Sequence, residues 1–109
     1  MKILKVDQVQ EASSFIQRFV GFMFQSKPEN KKVIIFNKCN SVHSFNMRFN
    51  LDVLFLDNSN KIIKKVSNLS RGKIISPVRG ACVVVEAEAG MFDALAEGDI
   101  VAFDAPRFS

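Results

Sequence analysis

The chain has no tryptophan, no tyrosine, one histidine and two cysteines in 109 residues. Each shortage narrows what the protein can be. A closed structural zinc site wants four ligands, mainly Cys and His, and this chain offers only Cys39, Cys82 and His43. Two cysteines allow a single disulfide, not the framework of a cysteine-stapled secreted domain. No apolar run approaches the length of about 18 residues that a transmembrane helix needs, so membrane insertion is not expected. The opening Met1-Lys-Ile-Leu-Lys-Val-Asp7 meets an acid before a secretory apolar segment could form. The expectation is therefore a cytoplasmic chain with reduced thiols. Glycines at 72, 80, 90 and 98 are scattered and build neither a phosphate loop nor a dinucleotide fingerprint, so no cofactor is expected.

What the chain does have is phenylalanine, eleven of them, within a composition that is 48% apolar and 24% charged. Phenylalanine delivers a large apolar surface with no polar atom to satisfy. At this length one domain, residues 1–109, buries about two-thirds of its unfolded surface and needs no staple. The net charge of +4 is unevenly spread. Lys61, Lys64, Lys65, Arg71, Lys73 and Arg79 fall in a stretch without acids, and Glu86, Glu88, Asp93, Glu97, Asp99 and Asp104 follow without bases. The basic block could make the chain an adaptor for an anionic partner, or the two blocks could neutralise one another in the fold. Neutralisation is the simpler reading, and without aromatics between the lysines a nucleic-acid partner is not expected.

The hydrophobic pattern gives short strands. Lys2–Val6, Val33–Phe36, Lys61–Val66, Ala81–Ala87 and Ile100–Phe103 carry β-branched or alternating apolar residues, and Ile74-Ile75 is a brief pairing site. Asp57-Asn-Ser-Asn60 predicts a turn that makes Lys61–Val66 a hairpin partner. A helix capped by Ser13 or Ser14 is predicted up to Gly21, and a second of one or two turns over Met91–Ala96. Together these predict an α+β domain: a mainly antiparallel, curled β-sheet or partly open barrel with two short helices.

The segment from His43 to Asp57 stands out. Phe45, Met47, Phe49, Leu51, Val53 and Phe55 alternate with Ser44, Asn46, Arg48, Asn50 and Asp52, the period of a strand with one buried face. Leu54 and Leu56 break the polar face, so the second half is expected to be covered on both sides. On such a strand Asn46, Arg48, Asn50 and Asp52 form a polar stripe. Arg48 suits a carboxylate or phosphate and the amides suit a sugar or peptide, which makes the stripe a candidate ligand surface or simply a solvated face. Asp52, at the start of an apolar strand, is better read as an acceptor of backbone N–H groups from a neighbouring loop, or as a partner of Arg48 or Arg79, than as a general base. Cys39 and His43 are four apart, a spacing that offers a Cys–His nucleophilic pair only if the chain turns between them, because on an extended chain they stand about 13 Å apart. His43 also shares the parity of Phe45, which favours a structural role.

Arg18-Phe-Val-Gly-Phe-Met-Phe24, His43 to Asp57, Lys61-Ile-Ile-Lys-Lys-Val66, and Val85-Glu-Ala-Glu-Ala-Gly90 followed by Gly98-Asp99 resemble, in order and spacing, the motifs of the domain-of-unknown-function 192 family. The resemblance covers roughly positions 15 to 103. It departs at Asn46, where many members carry an aromatic residue, and at Asn50, where many carry proline. It implies a compact, mostly β fold and brings no established catalytic residue, cofactor or substrate. The leading expectation is a small non-catalytic binding or accessory module for a polar small molecule, glycan or peptide near Asn46, Arg48 and Asp52. A small Cys39/His43-dependent hydrolase or transferase is the alternative, and the anionic-partner adaptor a weaker one.

Overall fold

A computed structural model describes residues 1–12 and 21–106. Nine strands occur among them: β1 (Lys2–Lys5), β2 (Gln8–Ala12), β3 (Lys32–Asn37), β4 (Val42–His43), β5 (Leu51–Leu56), β6 (Ile62–Leu69), β7 (Ile74–Ile75), β8 (Val83–Glu88) and β9 (Val101–Asp104). The central sheet runs β2-β3-β8-β5-β6, and two ribbons, β1-β9 and β4-β7, flank it. β2 pairs with β3 and β1 with β9 in parallel, whereas the other pairings are antiparallel.

This architecture corrects the α+β expectation. No helix occurs among the described residues, the sheets are mixed, and they do not close into a barrel. The helix expected before Gly21 lies at residues 13–20, outside the described residues. The one expected over Met91–Ala96 is a series of turns. Seven residues between Gly90 and Gly98 are too few for a self-supporting helix, and distant side chains take over the backbone groups. The N–H groups of Gly90 and Phe92 donate to Asp52 and that of Ala96 to Asp99, while Lys65 Nζ donates to the carbonyls of Phe92 and Leu95, each at 2.7 Å. The same contacts set the basic strand β6 against the acidic turn, where Lys65 N also donates to Glu97 Oε1 at 3.2 Å. The two charge blocks therefore meet.

β5 is buried along its whole length, as expected for a strand covered on both faces. Its alternating side chains feed two apolar layers. Leu54 and Leu56 pack with Val33, Val85, Ile62, Phe92 and Val101 under the β1-β9 ribbon. Leu51, Val53 and Phe55 pack with Ile34, Phe36, Val84, Phe22 and Met47 under the β4-β7 ribbon. Asp57 makes the predicted turn by accepting the N–H groups of Ser59 and Lys61, with Asn60 at φ 61°.

The first half of the alternating segment is not a strand. Asn46 sits at φ 59°, a left-handed conformation that breaks extended geometry. Ser44 is held in the loop that follows β6. Its N–H donates to the Lys73 carbonyl at 2.8 Å, its hydroxyl donates to the Ser70 carbonyl at 2.7 Å, and it accepts from Lys73 N at 2.8 Å. The result inverts the expected faces: Ser44 is fully buried and Phe45 is exposed.

Candidate functional site

Glu86 lies near the end of β8 in the middle of the sheet, facing Ile34 on β3 and Val53 on β5. Both neighbours are buried and apolar, and Glu86 itself is only 4% exposed. Among the described residues its carboxyl makes no ion pair. Desolvation raises its pKa from 4.5 to about 8, so it is a neutral acid at neutral pH.

The carboxyl faces a cavity of about 590 Å³. Phe36 and Val84 form apolar wall on the sheet, with Met47 and Gly21 beside them. Val42, Ile74, Ile75 and Pro77 come from the β4-β7 ribbon and the segment after it. Lys38, Cys39, Ser41 and His43 supply polar groups from the end of β3 to β4. The chain leaves β3 sharply because Lys38 adopts φ 54°. That turn and the ribbon pairing of His43 with Ile74 lift β4 and β7 away from the sheet and leave the space between. Ile74 and Phe45, both exposed, bring apolar surface to the mouth, where the Phe45 ring stacks on His43 at 5.4 Å.

Gly21 is built for this site. Its φ is +48°, and a Cβ there would stand 2.9 Å from Phe36 Cζ and 3.3 Å from Glu86 Oε1. Gly21→Ala is expected to destabilise the fold by about 1–3 kcal/mol through strain and overpacking, read as a lower urea midpoint with an unchanged slope.

The sequence candidates divide. Cys39 and His43 do line one cavity, because the chain turns between them. The Cys39 thiol donates to the Ser41 carbonyl at 3.2 Å, and His43 Nδ1 accepts from Phe45 N at 3.2 Å. Asn46 is exposed in its turn, and its carbonyl accepts from Phe24 N at 3.0 Å. Arg48 is exposed. The Asn50 amide donates to Asn68 Oδ1 at 3.0 Å, and Asp52 is fully buried. These residues share no sheet face. Asp52 accepts from the backbone N–H of Asn68 at 2.9 Å, Gly90 at 3.0 Å and Phe92 at 3.1 Å. Among the described residues no three of His, Cys, Asp and Glu gather where they could hold a metal ion. Nor, among the described residues, is any helix long and apolar enough to cross a membrane.

Sequence reading missed Glu86. Its signal was present: an acid closing Val83-Val-Val85, in a run apolar enough to belong to a central strand covered on both faces.

The domain-of-unknown-function 192 family model, described as "Uncharacterized ACR", matches residues 2–103. A UPF0127 protein of Pyrococcus furiosus is 39% identical over 94 residues, spanning 81% of this chain and 78% of that one. One from Thermococcus gammatolerans is 30% identical over 102 residues, and the match spans 88% of this chain but 66% of that protein's length. Two solved structures share the fold. A Sinorhizobium meliloti protein described as a candidate transcription regulator superposes with a TM-score of 0.76 at 23% identity, covering 84% of this chain and 78% of that one. A Novosphingobium aromaticivorans protein of unknown function gives 0.74 at 18% identity, covering 84% and 71%.

Proposed function

This chain belongs to the domain-of-unknown-function 192 family, which is defined by sequence and fold and not by an activity, and from its cavity we propose that it is a non-catalytic binding or accessory module for a small molecule. The observation that carries this reading is the cavity itself. About 590 Å³ walled mainly by apolar side chains, with the buried Glu86 carboxyl among them, is the volume and chemistry of a small-molecule site. The ligand class shifts accordingly from a glycan or wholly polar molecule to one with an apolar body. Asn46 and Arg48 stay as peripheral candidates, since Phe45 and Met47 beside them line the cavity. Asn50 and Asp52 are committed to the fold.

A catalytic Cys39–His43 pair has less support. The thiol proton is directed at the Ser41 carbonyl, and a nucleophile needs that proton on its base.

The test uses naphthalene, an uncharged probe without a polar group, followed by ligand-observed NMR. Saturable binding to one site is expected. Ser76 is exposed and lines the cavity, so Ser76→Trp should block the mouth without touching the core. It should weaken binding at least about tenfold with the melting temperature nearly unchanged. Equal binding by the variant would place the probe elsewhere and remove the cavity from consideration.

A further inference from the structure

The chemistry of the cavity says more than its volume. Given that the cavity is a small-molecule site, on which this inference rests, we propose that it selects an uncharged, largely apolar molecule bearing a hydrogen-bond acceptor, such as a carbonyl or ring nitrogen, with the Glu86 carboxyl group as the donor.

Ile34 and Val53 flank Glu86 on the neighbouring strands, and the Gly21 turn closes over Oε1. Among the described residues, the open side of the carboxyl is the cavity. Among the described residues, the other ionisable groups lining that space are Lys38, Cys39 and His43. Lys38 is exposed, at the turn that ends β3.

Three ligand types can then be compared. A hydrocarbon would leave a buried hydroxyl of the acid without a partner, which costs binding. A cation would need the carboxyl ionised inside apolar walls, and the desolvation of two charges offsets their attraction. A neutral acceptor needs no new charge and satisfies the acid directly. Burial keeps the group protonated up to about pH 8, so the donor is available at neutral pH.

The experiment compares naphthalene, 2-acetylnaphthalene and 2-naphthylmethylammonium on the same protein. They share one apolar body and differ in the polar group. At about pH 6.5 the acetyl compound is expected to bind about tenfold tighter than naphthalene, the value of one good hydrogen bond. That advantage should disappear as the pH rises through the Glu86 titration, a profile read on the unmodified protein. Glu86→Gln keeps a donor, so it should hold the affinity within about threefold and abolish the pH dependence. Glu86→Leu should reduce the acetyl compound to the level of naphthalene. Naphthalene binding with no acetyl advantage would overturn the acceptor assignment while leaving the cavity as a binding site. Tighter binding of the ammonium compound would overturn it in favour of a cation. Failure of all three compounds to bind would sink the binding reading and this inference together.

Discussion

Asp52→Ala is expected to cost about 3–5 kcal/mol, enough to unfold a large fraction of a domain whose total stability is of order 5–15 kcal/mol. The aspartate is wholly buried, yet among the described residues its partners are backbone N–H groups: Asn68 at the end of β6, and Gly90 and Phe92 in the turn after β8. Removing it takes the acceptor from three N–H groups, of which that of Phe92 is buried and those of Asn68 and Gly90 are partly so. Asp52→Asn should fall between. Its amide oxygen can serve the Gly90 and Phe92 N–H groups, but its NH₂ must then face the Asn68 N–H, donor against donor. Urea denaturation gives the ranking. Amide hydrogen exchange localises it: Gly90 and Phe92 should lose protection first, before the strands.

Glu86→Gln should move stability the other way, and only above acid pH. In the folded chain the carboxyl holds its proton to about pH 8, against 4.5 as the reference value. Between these values the native state carries a proton that the unfolded state has released, so stability falls as pH rises. The contribution is complete below about pH 4.5 and gone above about pH 8. At about 1.4 kcal/mol per unit, the full change is of order 5 kcal/mol and roughly 3 kcal/mol at neutral pH. Glutamine cannot ionise, so the variant should match the parent near pH 4 and exceed it by a few kcal/mol near neutrality. Denaturant midpoints of the two proteins across this range check it. Parallel curves would mean the carboxyl is ionised in the folded state and that the interior solvates it.

The sequence was legible where one strand's own residues decide its environment. Leu51–Leu56 is apolar on both parities except at Asp52, Val83–Val85 is an unbroken β-branched run, and both strands lie inside the sheet. Asp57–Asn60 carried its turn chemistry locally. For Asp52 the sequence offers backbone N–H groups of a loop or an arginine as partners, and the structure has the N–H groups. Legibility ended where pairing partners are remote. Ser44–Asn50 alternates like a strand, but a left-handed Asn46 and the capture of Ser44 by residues 70–73 fold it into turns. Met91–Ala96 has helical composition, but Asp52, Lys65 and Asp99 own its backbone groups. The cavity depends on how the β4-β7 ribbon sits over β3 and β8, which local periodicity does not encode. Cys39 and His43 were picked out for their chemistry, whereas Glu86 needed the sheet order to be seen as buried.

The β1-β9 ribbon has a mechanical consequence. Lys2 pairs with Val101 and Lys5 with Asp104, so the two strands run in the same direction. Tension applied through Lys2 and Asp104 therefore acts at opposite ends of the ribbon and pulls along the strands. The slanted bonds of a parallel pair are then loaded together in shear, where a hairpin pulled from its open end would release them one after another. The short ribbon over the core is thus a tensile latch, resisting extension of the chain before the central sheet bears any load.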